Sequence, residues 1–264
     1  MTAVPNANPT FLSDLASSIR QRRLWSYLAR REIRQQYDRT LIGVFWVPLN
    51  VLIHVGVLGL LFSLINDQRD FVPYFACSFA IWTVFARGLG EASTLWQVSG
   101  RYLLHIPTPL SLFVIKSVWK MTLIFALSGP VGLLIAVLAG DNPWPMILLL
   151  PLTMLLFLAN LAWIITLVSI VCARLPDIGK FMPNLVFMLY LTTPILWTTH
   201  RLGRHQWIAD YNPIYHMIQI VREPMLGHAP SLDSVLIAGI MAIVGLTVAA
   251  FALAKARRRI PLWL

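Results

Sequence analysis

The sequence predicts an all-α integral membrane protein with six transmembrane helices and an amphipathic interfacial helix before the first of them. Three observations support this prediction. Of the 264 residues, 58% are hydrophobic and only 12% are charged, long uncharged apolar runs recur along the chain, and arginines cluster beside those runs. Soluble domains carry roughly a quarter charged residues, so this composition excludes an ordinary water-soluble fold.

Residues 1–40 are predicted to form a cytoplasmic tail and an amphipathic helix at the membrane surface. Phe11, Leu15 and Ile19 recur at four-residue spacing, and arginines occupy much of the remaining helix surface. Two interpretations stay open, a membrane anchor alone or a surface shared with a cytoplasmic partner. Because this segment is polar and rich in arginine, we expect no cleavable signal peptide.

Residues 41–264 are predicted to form one transmembrane domain of six helices. The first apolar run, residues 41–65, contains no Asp, Glu, Lys or Arg and is longer than the roughly 20 residues that a bilayer requires. The predicted spans cover about 41–65, 72–89, 111–138, 146–171, 181–197 and 234–254. Fourteen Lys and Arg residues fall in the predicted inner segments and four in the outer ones. Both termini are therefore expected in the cytoplasm.

Two connections and one charged pair stand out between the spans. Residues 91–110 form an amphipathic inner connection that is long for a turn. Residues 198–233 form the longest outer segment, where an Asn-Pro turn signal at 212–213 precedes apolar residues at helical spacing. Lys116 and Lys120 share one face of the third span near its inner boundary. They indicate either snorkelling to the interface or contact with a polar cavity, an anion or a partner.

The residues that carry chemistry exclude several classes of protein. No acidic residue falls in the middle of a predicted span, which disfavours a proton- or sodium-coupled carrier. The sequence G-x-x-x-x-G-K-[ST] is absent, so active transport would need energy from another chain. Cys77, Cys172 and the scattered histidines do not form the spacing of a metal site. Asp210, Tyr211, His216 and Glu223 could form a catalytic acid/base set, but helix capping and packing explain these residues more simply.

Aromatic residues within the predicted first, second and fifth spans form a candidate lining for a sugar channel. Most of the 10 Trp, 13 Phe and seven Tyr residues are expected in the core or in belts at the membrane boundary. The fifth span is short and contains Asn184 and Pro194, and backbone breaks at membrane depth are tolerated where they line a wet cavity. We expect it to border the functional pathway. The candidate lining residues are Phe45, Trp46, Trp82, Phe85, Phe187 and Tyr190.

Two motifs resemble the membrane subunit of type-2 ABC exporters, which move cell-surface polysaccharides such as O-antigen, capsule and teichoic acid. Residues 31–46 are similar to the family's basic-Tyr-x-x-(Ser/Thr)-x-x-Gly-x-x-Trp pattern, matched here by Tyr37, Thr40, Gly43 and Trp46. The family's outer Asn-Pro-to-Arg segment is matched by Tyr211, Asn212, Pro213, Arg222 and Gly227. The resemblance covers nearly the whole chain. One departure is Pro48-Leu49-Asn50, where the family often has Gln-Pro.

The resemblance implies a homodimer of this chain with two copies of a cytoplasmic ABC ATPase subunit, which would hold ATP and Mg. No cofactor or metal is expected on this chain. The amphipathic helix and residues 91–110 would contact the ATPase, the latter as coupling helix, and the segment after the fifth span would form short re-entrant gate helices. The implied coupling residues are Arg30, Arg31, Trp96, Arg101 and Tyr102. The implied outer gate residues are Tyr211, Asn212, Pro213 and Arg222.

The implied function is the channel-forming subunit of an ATP-driven exporter. It would move a lipid-pyrophosphate-linked polysaccharide, such as O-antigen for lipopolysaccharide biosynthesis, from the cytoplasmic to the outer face of the bacterial inner membrane. Arg30 and Arg31 would meet either the ATPase or the pyrophosphate. Two alternatives stay open, a type-2 ABC permease for a drug or lipid and a membrane enzyme that acts on lipid-linked sugars.

Overall fold

The computed structural model describes residues 11–62, 71–103, 108–199, 203 and 205–263, and within these ranges it is helical without strands. The predicted tail at residues 1–9 and the outer turn at residues 66–70 lie outside the described residues. The α-helices are α1 (Phe11–Arg20), α2 (Arg22–Tyr37), α3 (Trp46–His54), α4 (Phe71–Leu103), α5 (Leu110–Ala139), α6 (Leu150–Arg174), α7 (Pro176–Thr192), α8 (Trp207–Asp210), α9 (Pro213–Met225), α10 (Leu232–Ala256) and α11 (Ile260–Trp263).

Five described helical stretches are long and apolar enough to cross a membrane, which makes this a multi-pass membrane protein. They match the predicted first, second, third, fourth and sixth spans. The predicted fifth span corresponds to α7, which has 17 residues and ends at Thr192, so the count of six spans stays a prediction. The five stretches are Gly43–Phe62, Phe71–Gly100, Leu110–Ala139, Ile147–Arg174 and Leu232–Ala256.

The predicted amphipathic segment forms α1 and α2, which meet at Gln21. Leu28, Ala29 and Ile33 form the buried face of α2, which packs against α5. Their spacing of one, four and five positions places them on one side of the helix. The arginines of α2 are exposed, and they are Arg22, Arg23, Arg30, Arg31 and Arg34.

Helix α4 is the centre of the bundle, and α5, α6, α7 and α9 all pack against it. Of its most apolar stretch 72% is buried, compared with 22% in the first and last spans. The helix does not end near residue 89, where the second span was predicted to stop, and residues 91–103 continue it. The buried side chains recur at helical spacing beyond that point, so the same face keeps packing against α5. These buried residues are Ala92, Leu95, Trp96 and Ser99.

Small residues allow α4 and α5 to approach closely. Ser128, Gly132 and Ala136 of α5 are buried at four-residue spacing, which places them on one face of the helix. A Cβ at Gly132 would lie 3.1 Å from the carbonyl oxygen of Ala76 in α4. The Ser128 hydroxyl donates to the carbonyl oxygen of Ala80 at 3.2 Å.

The bundle has two polar ends. At the basic end, α1 and α2 contact α5, and α1 also contacts α10. This end includes the basic segment 255–259, where the last span ends. The opposite end comprises the turn at residues 140–145, residues 193–199 and α9. Each end contains charged side chains that are buried between helices, and these clusters are the strongest candidates for functional sites.

Candidate functional site

Four charged side chains from three helices form an ion cluster at the basic end, consisting of Glu32, Glu91, Lys116 and Lys120. Lys116 Nζ lies 2.6 Å from Glu32 Oε1. Lys120 Nζ lies 3.4 Å from Glu32 Oε2 and 2.9 Å from Glu91 Oε2. The Ser117 hydroxyl donates to Glu91 Oε1 at 2.7 Å. The ion cluster therefore connects α2, α4 and α5, and both lysines end on carboxylates of the same chain.

The geometry of the ion cluster follows from helix periodicity. Lys116 and Lys120 are one turn apart on α5, so both ammonium groups reach Glu32 of the neighbouring α2. A cleft of about 320 Å³ lies beside the cluster and is also lined by Arg87 and Thr94. Because Lys116 is only 2% exposed, the loss of its partner would leave a charge in a poorly solvated position.

The tyrosine of the first motif contacts Arg87, one of the residues that line this cleft. Arg87 Nη1 of α4 donates to the Tyr37 hydroxyl at 2.8 Å. Tyr37 is the last residue of α2, so this bond attaches the end of the amphipathic segment to the central helix. The chain then turns at Arg39 and again at Gly43, where the first span begins, and both residues have positive φ. The motif thus positions α2 relative to the membrane helices.

Asp14 joins both ends of the described chain at the basic end. Asp14 Oδ2 accepts hydrogen bonds from the backbone N–H of Ser111 at 3.1 Å and from its hydroxyl at 2.6 Å. Asp14 Oδ1 lies 3.1 Å from Arg257 Nη2. A carboxylate at the first turn of α5 satisfies an N–H group that has no partner within the helix and complements the helix dipole. Helix α1 thereby holds the start of α5 beside the end of α10.

At the opposite end, Asn212 both begins α9 and attaches it to α7. Its Oδ1 accepts from the backbone N–H groups of Ile214 at 2.9 Å and Tyr215 at 3.3 Å. Its Nδ2 donates to the carbonyl oxygen of Thr192 at 3.3 Å. Pro213 occupies the first helical position, where a missing N–H costs nothing. The Asn-Pro signal therefore marks a capped helix, as the sequence predicted.

Arg222 of α9 forms what we call the arginine site, with Tyr74, Ser78, Pro194 and Glu223. Its guanidinium carbon lies 4.1 Å from the centre of the Tyr74 ring, and Nη1 donates to the Ser78 hydroxyl and to the Pro194 carbonyl oxygen, each at 3.3 Å. Nη2 lies 3.2 Å from Glu223 Oε1. Burial opposes the charge, but Tyr74 and Glu223 favour it by more, so the pKa of Arg222 is raised. The site connects α9 to α4 and to the segment after α7.

Two other outer residues have structural partners. Gly227 has a φ of +87°, and a Cβ there would overlap the carbonyl oxygen of Asn142, so the close approach of two turns requires glycine. His216 Nδ1 lies 2.7 Å from the Ser234 hydroxyl, and Nε2 lies 2.8 Å from the carbonyl oxygen of Asp210. These contacts, and the pairing of Glu223 with Arg222, fit the packing explanation of the outer polar residues. Tyr211 is exposed.

The predicted channel aromatics fall into two groups. Trp82, Phe85 and Tyr190 form a cluster between α4 and α7, with the Trp82 ring centre 5.4 Å from each of the other two. Trp82 and Phe85 are buried, so in this conformation they pack helices together. Phe45, Trp46 and Phe187 lie on the surface of the single chain and are 71%, 41% and 61% exposed.

The predicted coupling residues also differ in position. Arg30 and Arg31 are exposed on α2 and line a cleft. Trp96 is 1% exposed and lies edge-on to Phe113, so its side chain packs α4 against α5. Arg101 and Tyr102 belong to the last turn of α4, but their side chains lie outside the described part of the structure.

Sequence reasoning missed the acidic members of the basic-end contacts and a polar contact inside the bundle. Glu32 is the one acidic residue between Arg20 and Tyr37, and a lone acid in a basic helix was a signal that it neutralises a neighbouring lysine. Asn160 is fully buried in α6 and donates to the Ala238 carbonyl oxygen of α10 at 3.0 Å. An amide in the middle of a span is a signal for such an interhelical bond.

Comparison with known proteins identifies the family. Residues 23–226 match the family described as ABC-2 type transporter, which is more than half of the chain. Over 172 residues the chain is 22% identical to the O-antigen export system permease protein RfbA of Myxococcus xanthus. That alignment covers 64% of this chain and 66% of the relative, just under two thirds of its length. The family match extends from α2 to the end of α9 and includes the ion cluster and the arginine site. The chain therefore belongs to the ABC-2 type transporter family and is a transport permease of that kind.

Proposed function

We propose that this chain forms the channel of an ATP-driven exporter for a lipid-linked polysaccharide, O-antigen or similar. The observation that carries the proposal is the exposure of Phe45, Trp46 and Phe187 on helices that flank α4. Aromatic rings offer flat apolar faces on which sugar rings stack. The similarity to an O-antigen export permease supports this class of substrate.

The same exposed faces suit a second copy of the chain. Only 22% of the first span's apolar stretch is buried, and Met182 is the buried residue of α7. In the proposed homodimer these helices of two copies face each other and enclose the channel, with α7 as the sixth spanning helix. Exposed aromatic residues then line the path of the glycan.

The basic end faces the cytoplasm in this proposal, because Lys and Arg are concentrated on the cytoplasmic side of membrane proteins. Two ABC ATPase subunits bind there and hold ATP and Mg. They contact the exposed arginines of α2, including Arg30 and Arg31, and the segment after residue 91. The inner-membrane location and the cytoplasmic position of both termini belong to the same proposal.

Coupling uses the continuity of α4 and the ion cluster. A movement of the ATPase pair displaces α2 and the end of α4, and Glu32 and Glu91 transmit the displacement to Lys116 and Lys120 of α5. Since α4 continues without a break to the opposite end, the movement reaches the arginine site. There α9 acts as the re-entrant gate, and the contacts of Arg222 and Asn212 hold it closed.

The test compares two exposed phenylalanines in the full chain, purified with its candidate ATPase in lipid. Phe187→Ala removes a proposed channel residue of α7, and Phe251→Ala removes a similarly exposed ring from α10. We expect lipid-linked glycan to stimulate ATP turnover. Phe187→Ala should lower that stimulation at least threefold, whereas Phe251→Ala and the basal turnover should remain unchanged.

Three results would contradict the proposal in different ways. If no stable complex with an ATPase forms and the chain itself alters the lipid-linked sugar, the protein is a membrane enzyme. If a drug or a simple lipid stimulates turnover and the glycan does not, the chain is a type-2 ABC permease for that compound. If both phenylalanine variants behave alike, α7 does not line the channel.

A further inference from the structure

An apolar groove opens between α5, α6 and α10, with α1 above it at the basic end. Its volume is about 320 Å³, and neither the ion cluster nor the channel aromatics contribute to its walls. Small side chains of α6 and α10 create the space between larger ones. The residues that define its walls are Val114, Val118, Ala162, Leu246, Ala250 and Leu253.

The depth of the groove matches part of one membrane leaflet. Its walls extend from Ser111 to Val118 on α5 and from Leu246 to Leu253 on α10, which is about 10 Å along each helix. One leaflet contributes about 15 Å of hydrocarbon, half of the bilayer core. The groove therefore starts at the basic end of the spans and reaches about two thirds of the way through the adjacent leaflet.

The polar groups in the walls already have partners within the protein. The Thr166 hydroxyl donates to the Ala162 carbonyl oxygen at 2.8 Å, and Asp14 accepts from both the N–H and the hydroxyl of Ser111. An apolar space without unsatisfied polar groups does not hold ordered water. A hydrocarbon chain is the occupant that these walls favour.

The mouth of the groove is cationic. Arg257 follows Leu253 by four positions and Ala250 by seven, so it lies on the same face of α10 as the groove. Its side chain is one-third exposed and pairs with Asp14, the acidic group at this position. Lys255, Arg258 and Arg259 are exposed within two residues of it. This excess of positive charge favours an anionic headgroup.

We propose that the groove binds one acyl chain of an anionic phospholipid, with the lipid phosphate beside Arg257. The site differs from the proposed glycan channel, which lies along α3 and α7. Bound lipid contacts α1, α5, α6 and α10 together, and it therefore adds to the contacts by which Asp14 holds these elements at the basic end. The transported substrate has no part in this proposal.

The test measures lipid binding by native mass spectrometry of the full chain in mild detergent. Phosphatidylglycerol and phosphatidylcholine with the same acyl chains are titrated separately. We expect the first bound lipid to favour phosphatidylglycerol at least tenfold. Ala250→Phe fills the groove and should weaken the binding of phosphatidylglycerol at least tenfold. Val248→Phe, on the opposite face of α10, should leave this binding unchanged.

A second pair of variants tests the headgroup. Arg257→Gln should reduce the preference for phosphatidylglycerol to less than threefold, and Lys255→Gln, with the same change of charge on the other side of α10, should retain it. Equal binding of both lipids by the wild type would overturn the anionic site, and equal binding by Ala250→Phe and Val248→Phe would overturn the groove. If Arg257→Gln fails to fold because Asp14 loses its ion pair, the comparison of Ala250→Phe with Val248→Phe still decides whether the groove binds lipid.

Discussion

The ion cluster at the basic end and the arginine site at the opposite end both bury cations, but they connect helices in different ways. In the ion cluster, every contact between helices involves a carboxylate. Three are ion pairs with a lysine, and the fourth is the hydrogen bond that Glu91 accepts from Ser117. In the arginine site, Glu223 is the sequence neighbour of Arg222, and the contacts to other elements use the Tyr74 ring, the Ser78 hydroxyl and the Pro194 carbonyl oxygen.

The difference separates two physical requirements. The ion cluster needs opposite charges at short distance, and an ammonium group can meet this requirement because it donates to carboxylates in several directions. The arginine site needs a planar cation with donors at fixed angles and one face against an aromatic ring. We expect the basic end to respond chiefly to loss of charge and the opposite end chiefly to change of shape.

The largest expected effect comes from Lys116→Met, which keeps most of the length of the side chain and removes its charge. It removes the 2.6 Å partner of Glu32, whose remaining ion pair is the 3.4 Å contact with Lys120, and should lower the free energy of unfolding by about 3 kcal/mol. Denaturant titration in mixed micelles measures this change. Adding Glu32→Gln should restore part of the loss, and Lys180→Met, whose side chain is 81% exposed, is the neutral control. Equal losses of stability in Lys116→Met and Lys180→Met would show that the ion cluster has no special role.

The next largest effect is expected for Gly227→Ala at the opposite end. The added methyl group would overlap the Asn142 carbonyl oxygen at a positive φ, so unfolding free energy should fall by about 2 kcal/mol. Gly140→Ala is the matched control, since Gly140 has a φ of +106° with open space around it, and it should cost about 1 kcal/mol. The same titration measures both. If the two variants lose equal stability, the approach of the two turns is not limiting.

Arg222→Lys sharpens the comparison because it retains the charge and changes the shape. A lysine cannot donate in a fixed fork to Ser78, Pro194 and Glu223 together, so the variant should lose about 1.5 kcal/mol. Arg174→Lys, at an exposed position, is the control and should leave the unfolding free energy unchanged. If Arg222→Lys is as stable as the wild type, charge alone matters at this end too.

The smallest effect is expected at the start of α9. Asn212→Ala removes the acceptor for the N–H groups of Ile214 and Tyr215 and should cost about 1 kcal/mol. Asn212→Asp retains the cap but no longer donates to the Thr192 carbonyl oxygen. The difference in unfolding free energy between the two variants isolates the cap, and the loss in Asn212→Asp alone measures the attachment of α9 to α7. Identical losses would mean that the cap contributes nothing separable.

Local sequence patterns predicted a large part of this architecture. Apolar runs predicted the five long helical stretches, four-residue spacing predicted α1 and α2, and the Asn-Pro pair predicted the start of α9. Each of these features depends on residues within a few turns of one another. Such features are determined by backbone hydrogen bonding and by the periodicity of apolar side chains.

The tertiary structure alone decided which charged and aromatic side chains are buried together. The sequence marked Lys116 and Lys120 as unusual, but Glu32 lies 84 positions from Lys116, and Ser78 lies 144 positions from Arg222. Likewise Trp96 was predicted as a coupling contact to the ATPase, and the position of its side chain against Phe113 in the single chain depends on the continuation of α4 past residue 89. The physical reason is that a local pattern shows which face of a helix is apolar or charged, while the partner of that face depends on how distant helices pack.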